Sequence, residues 1–281
     1  MKFKTQDNGQ KHQNRFPKIV AWGYQFMIGV VVAVVNPCLA AEQQAATIPE
    51  PSPVVNIDTK TPASATKQGW QLTFSDEFGD QQVDSMKWSI RDEKERLAKN
   101  VSVSDGILRL VTRRNGKEWT SAWLATKHFR QKYGWFECSF RIAGASGLNN
   151  AFWLNTPPER LALKDPSLAR FEIDIVEAHY PHEVSMNLHN WQVKHTSSGQ
   201  KYKADSDLSK SFHVYALEWT PKELIWYFDG EKIRTFAHAI CNAEEEVLLS
   251  TKVASFAGKA SSALEDKSMD VDYVRIYQKK D

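Results

Sequence analysis

The chain has 281 residues, 42% apolar and 25% charged, a balance that fits one or two globular domains and excludes a disordered chain. A net charge of +2, with no basic helix and no zinc-type Cys/His spacing, gives nucleic acid no electrostatic hold. Ten tryptophans are many, and Trp both fills cores and supplies flat apolar faces for sugar rings and interface pockets.

In chain order, Lys2, Lys4, Lys11, Arg15 and Lys18 come first, and an apolar run follows from Ile19 to Val35. Asn36-Pro37 breaks the run, and Cys38-Leu39-Ala40 offers small residues where a signal peptidase reads. Residues 1–40 therefore read as an export signal cleaved after Ala40, which would place the mature chain in the periplasm or outside the cell. An uncleaved membrane anchor is the alternative, since the run is close to the lower length limit of a span. Cys138 and Cys241 would remain, either paired in an oxidising compartment or as two buried thiols. Residues 41–68 are rich in Pro, Ala, Thr and Ser, lack apolar periodicity, and read as a flexible linker. A single folded domain is expected over 69–281.

Within it, short strand-like runs recur at 70–75, 101–104, 107–113, 119–127, 135–142, 151–155, 171–179, 184–191, 213–219, 224–228, 232–236, 247–253 and 269–277. In WFECSFRI, Phe136, Cys138 and Phe140 alternate with Glu137, Ser139 and Arg141, so one face is apolar. Asp105-Gly106, Asn115-Gly116 and Asp229-Gly230 sit between adjacent runs and are strong hairpin signals. Short helices are expected only over 92–98 and 161–169. Many short strands without βαβ alternation or a fixed repeat predict an all-β sandwich of two antiparallel sheets.

The stretch FEIDIVEAHY, residues 171–180, holds Glu172, Asp174 and Glu177. β-Branched Ile173, Ile175 and Val176 favour a strand. In a regular strand Glu177 would face the packed side, where an isolated carboxylate costs several kcal/mol. A β-bulge at Ile175-Val176 returns it to the face of Glu172 and Asp174. Three carboxylates in a row suit a hard cation, or acid–base chemistry in which like charges keep one carboxyl protonated and another ionised. That division is what glycoside cleavage needs. A solvated acidic strand is the plain alternative, weakened because no cation alternates with these acids.

The stretch resembles the E-[ILV]-D-x-x-E signature of glycoside hydrolase family 16 in its bulged form. TFSDEFGD with Asp84 and Trp88, Asn100-Val101 leading to Asp105-Gly106-Ile107-Leu108, TSAWLATKHFRQKYGWFECSFRI, AFWLN, FHVYALEWTPKELIWYFDGEKI and MDVDYVRIYQ follow the family pattern in order. The resemblance covers roughly residues 70 to 278. It implies a jelly-roll sandwich of the concanavalin A-like kind with a substrate cleft on its concave sheet. It also implies a retaining endo-β-glycosidase with Glu172 as nucleophile, Glu177 as acid/base and Asp174 between them. His189 and Trp191, delivered with Asn187 to the same face, Trp153, Asn100 and Asn150 would meet the substrate, with Trp123 and Trp135 as further aromatic candidates. GLNNAFWL has Asn149-Asn150 where many members carry Trp-Pro, which exchanges an aromatic platform for amides. Arg160, Lys164 and Arg170 lie in an unusual segment expected at the cleft rim. The resemblance implies no required cofactor, and a structural calcium on the convex side with Asp272 as a ligand and Glu77 or nearby backbone carbonyls beside it. The polysaccharide would be a β-1,3- or mixed-linkage glucan first and a galactan second, acted on by a monomer. A transglycosylase or a non-catalytic carbohydrate-binding module on the same fold are the alternatives.

Overall fold

The computed structural model describes residues 69–165 and 168–280, so the expected export signal and linker lie outside the described residues. Among the described residues no helix is long and apolar enough to cross a membrane. The strands are β1 (Trp70–Asp76), β2 (Trp88–Ile90), β3 (Val101–Ser104), β4 (Ile107–Asn115), β5 (Glu118–Thr120), β6 (Trp123–Thr126), β7 (Gly134–Arg141) and β8 (Leu148–Asn155). They continue as β9 (Phe171–His179), β10 (Glu183–Asn190), β11 (Thr196–Lys203), β12 (His213–Trp219), β13 (Glu223–Phe228), β14 (Glu231–Ala237), β15 (Glu246–Val253) and β16 (Lys267–Lys279). One short helix, α1 (Pro158–Ala162), precedes β9.

The strands form two antiparallel sheets, as alternation and turn chemistry require. One runs β11-β10-β9-β8-β15-β6-β2; the other runs β14-β13-β12-β7-β16-β4-β3, with β1 on β16 and β5 on β4. The inner faces meet over Phe74, Phe136, Phe140, Phe152, Phe171 and Trp219, all fully buried. Asp105-Gly106 and Asp229-Gly230 close the β3–β4 and β13–β14 hairpins with positive φ at both positions, as such turns demand.

The expected continuous strand over 119–127 is two strands in different sheets. The chain crosses the sandwich at Ser121-Ala122, held by Ser121 N–H on the Glu95 carbonyl and Ala122 N–H on Thr251 Oγ1. Strand β11 has the sequence TSSGQKYK, an exposed polar edge with no apolar alternation to announce it. The helix expected over 161–169 begins earlier, at Pro158, because Pro is preorganised for a first turn. Residues 92–98 form no α-helix: Glu93 and Arg96 bridge each other, with Lys94 at positive φ between them. Cys138 and Cys241 are buried free thiols that do not pair, and burial pushes both thiols up.

The β9 bulge forms where expected. Phe152 pairs with Val176 and Trp153 with Asp174, so Ile175 is the extra residue, and across β10 Met186 faces both Ile175 and Val176. Ile175 and Val176 both enter the core. The opposite sheet supports the interruption. Trp226 of β13 donates its indole N–H to the Asp174 carbonyl at 3.1 Å. Arg234 of β14 lies 4.5 Å from the Trp226 ring centroid and donates to the Met186 carbonyl at 2.8 Å. Trp226→Phe keeps an aromatic ring but removes the indole donor to the Asp174 carbonyl, a loss of about 0.5–1.5 kcal/mol before any packing change. Thermal unfolding should show a Tm several degrees lower; an unchanged Tm would mean that the indole does not support the bulge.

Candidate active site

On the outer face of the seven-stranded sheet, strand register sets the site in rows. One row holds Ser185, Glu177, Ala151 and Ser250; the next holds Asn187, Asp174 and Trp153; a third holds His189, Glu172 and Asn155. Glu172, Asp174 and Glu177 therefore line one cavity, together with Trp153, Arg96 and Lys252.

Each acid has its own company. Glu177 accepts Asn149 Nδ2–H on Oε1 at 2.7 Å and Asn187 Nδ2–H on Oε2 at 3.0 Å, so two neutral amides hold both oxygens. Asn187 has room because β11 offers Gly199 beside it: a Cβ there would sit 2.2 Å from Asn187 Oδ1. Glu172 accepts the Trp191 indole N–H at 3.2 Å, and His189 Nε2 lies 4.0 Å from its other oxygen. Asp174, 4% exposed, meets His189 Nε2 at 3.2 Å. That contact and the neighbouring acids raise the His189 imidazole against the effect of its burial. Its Nδ1 lies 2.9 Å from His195 Nε2, and the His195 ring stacks on Trp191 with centroids 3.8 Å apart.

Burial first, and the Asp174 charge second, push both Glu172 and Glu177 up to about 7. The cluster thus retains a proton near neutrality. Their surroundings differ: His189 and an indole N–H stand beside Glu172, two amide N–H groups beside Glu177.

Trp153 closes the cavity floor, with its indole N–H on Ser250 Oγ at 3.0 Å and its ring edge-on to Trp123. Trp191 remains 41% exposed beside Glu172. Two expected substrate residues lie elsewhere. Asn100 is 0% exposed and commits its amide to Thr120 Oγ1 and the Ser121 carbonyl, tying down the sheet crossing. Asn150, also 0% exposed, points inward and bridges Ala143 N–H to the Leu148 and Ala178 carbonyls. Strand alternation gives the cleft to Asn149 instead. Trp135 belongs to the other sheet, packed with Tyr227 and Tyr277. Arg160 is committed to Glu245 and not to the rim. His179, His195, Gly199, Arg96 and Lys252 carried no motif; only strand register identifies most of their neighbours.

The two carboxylates expected beside a calcium have protein partners. Both Glu77 oxygens accept from Arg275 at 2.8 Å, so a guanidinium occupies the place of a cation, and Asp272 meets Ser139 Oγ at 3.4 Å. Among the described residues the one trio with metal-type donor atoms in mutual reach, within 4.8 Å, is Glu172, Asp174 and His189. His189 already directs Nε2 to Asp174.

The sequence profile described as glycosyl hydrolases family 16 matches residues 85–275. The chain belongs to this family. This family member is 28% identical to the endo-1,3-1,4-beta-glycanase EglC of Rhizobium meliloti, over 76% of this chain and 46% of the relative. It is 27% identical to the kappa-carrageenase of Pseudoalteromonas carrageenovora, over 74% of this chain and 64% of the relative. The chain thus spans less than two thirds of either relative's length. Among solved structures, the catalytic domain of an endo-1,3-beta-glucanase (laminarinase) from Thermotoga petrophila superposes with a TM-score of 0.66 at 22% identity, covering 75% of this chain and 99% of that one. The jelly-roll fold of the family is therefore this chain's fold.

Raised carboxyls have a sign in stability. A carboxyl that titrates near 7 in the fold and near 4.5 unfolded stabilises fully below 4.5, and that contribution is lost as pH rises through 7. Glu172→Gln cannot ionise, so its Tm should exceed the wild-type value at about pH 8 and match it at about pH 4. Thermal melts across that range check this; a difference that is the same at both ends would contradict it.

Proposed function

We propose that the chain is a retaining endo-β-glycosidase that hydrolyses a polysaccharide by double displacement. The observation that carries this reading is the asymmetry between the outer acids: an imidazole and an indole N–H at Glu172, two amides at Glu177. In the first step a Glu172 oxygen bonds to the sugar's anomeric carbon as the glycosidic C–O bond breaks. The Glu177 proton passes to the departing oxygen. In the second, Glu177 takes a proton from water, the water oxygen bonds to the same carbon, and Glu172 leaves as a carboxylate. Asp174, held by His189, adds to the cost of ionising both outer acids together.

The substrate best supported is a β-1,3- or mixed-linkage β-glucan. Trp153 and the half-open Trp191 offer flat apolar surface to a neutral sugar, and two of the relatives above are named for glucan or glycan cleavage. A galactan is the second reading, favoured by the kappa-carrageenase likeness, with Arg96 and Lys252 on the cavity wall to meet any acidic groups it carries.

Release of reducing ends from a panel of β-glucans and galactans by the purified chain tests both readings. Glu177→Gln should lower kcat by roughly 10²–10⁴-fold and lose less on an activated aryl glycoside, whose leaving group needs no proton. Glu172→Gln should be inactive on both. Undiminished cleavage by Glu172→Gln would overturn the assignment; binding without release from any polymer would point to a carbohydrate-binding module. Gly199→Ala, by displacing Asn187 from Glu177, should shift the upper limb of the pH–rate profile while KM holds.

A further inference from the structure

One step along β9 from the acids, a second row of polar side chains crosses the same sheet. Glu183 of β10 pairs with His179 of β9, and Asn149 of β8 lies one step beyond the Asn150–Ala178 pair. Their side chains are linked end to end. Lys201 Nζ lies 2.9 Å from Glu183 Oε1, and His179 Nδ1 lies 2.8 Å from the same oxygen. His179 Nε2 lies 3.0 Å from Asn149 Oδ1, and Asn149 Nδ2 donates to Glu177 Oε1 at 2.7 Å. His179 and Asn149 are both buried, so water does not substitute for a missing partner.

With one proton between His179 and Glu177, donor and acceptor accounting gives this chain of groups two satisfied arrangements. In the first, both His179 nitrogens face acceptor oxygens, so both carry hydrogen: His179 is an imidazolium, Asn149 gives its N–H to Glu177, and Glu177 is a carboxylate. In the second, His179 is neutral. Glu183 only accepts, because burial works to raise its carboxyl but the hydrogen bonds from Lys201 and His179 pull it below its usual value. Nδ1 therefore keeps its hydrogen and Nε2 becomes an acceptor. The Asn149 amide then turns over, donating to Nε2 and presenting Oδ1 to Glu177. Two bare oxygens cannot share a hydrogen bond, so Glu177 must now hold a proton. Each arrangement holds one proton, on His179 or on Glu177.

We propose that His179, acting through the amide of Asn149, is a positioning residue that links its own charge to the proton on Glu177. This rests on the reading of Glu177 as acid/base. When Glu177 gives its proton to the leaving sugar, turnover of the amide and uptake of a solvent proton by His179 let the carboxylate keep a donor on each oxygen. When Glu177 takes a proton from water, the reverse change lets His179 release one. Other groups bearing on His179 are Lys201 beyond Glu183, Lys252 opposite Asn149 on β15, and the uncharged ring of Phe256 at 5.7 Å. Burial holds the His179 imidazole below its usual range, consistent with the arrangement that keeps Glu177 protonated near neutrality.

The test follows the imidazole ¹⁵N resonances of His179 through a pH titration, in the full chain and in a cycle of variants. Glu177→Gln, a fixed neutral stand-in for the protonated acid, should lower the His179 midpoint by about half a pH unit or more. In the Asn149→Ala background the same substitution should move it far less; Asn149→Ser replaces that variant if it does not fold. An equal shift in both backgrounds would mean direct charge interaction without the amide, and no shift in either would mean no linkage; either result overturns the proposal. The readout needs no turnover. If Glu177→Gln cleaves polysaccharide normally while His179 still responds through Asn149, the acid/base reading fails and the linkage stands.

Discussion

The site depends on one interruption of a hydrogen-bond ladder. A single extra residue in β9 lets five consecutive positions satisfy two opposed demands: Ile173, Ile175 and Val176 enter the core while Asp174 and Glu177 stay on the open face. Without it, either the carboxylate or the aliphatic pair would face the wrong medium, at a cost that rivals the net stability of a domain. At the interruption the opposing sheet supplies Trp226 to the Asp174 carbonyl and Arg234 to the Met186 carbonyl. The bulge, the buried indole and the buried guanidinium are one device.

Above that floor, chemistry comes from unequal surroundings of equal groups. Glu172 and Glu177 are the same side chain, buried to a similar degree and beside the same Asp174. What separates them is whether the donors nearby can carry charge. His189 can, and Asn149 and Asn187 cannot by themselves. The His179 row brings a titrating group to the Glu177 side at one remove, where its charge is transmitted as the orientation of an amide.

Much of this was legible in the amino acids, and the failures share a cause. The bulge could be read because an acid at the wrong parity among β-branched residues reaches the open face only if the strand gains a residue. Asn149 and Asn150 were not told apart, because the expected run began at 151 and β8 begins at Leu148, so the parity of Trp153 was not carried back to them. Asn100 matches a family position, yet its amide is consumed by Thr120 and Ser121 at a sheet crossing that no periodicity marks. Glu77 meets Arg275, nearly two hundred residues away in sequence. His179 and His195 stood alone in the sequence, and only their neighbours across the sheet give them partners. Local pattern reveals which face a residue prefers; long-range pairing decides what it touches there.

The buried guanidinium of Arg234 sets a boundary on how the site responds to its surroundings. Burial lowers its affinity for protons somewhat, but an arginine still stays charged throughout the range in which Glu172, Glu177 and the histidines change state. It grips the Met186 carbonyl and the Ser198 carbonyl and hydroxyl, joining β10 to β11 beneath the cleft. The foundation is therefore indifferent to acidity while Glu172, Glu177 and His189 above it are not. Protons can come and go from the upper surface without loosening the strand that spaces the acids, so a change in the medium alters the charge of the cavity before it alters the shape that holds it.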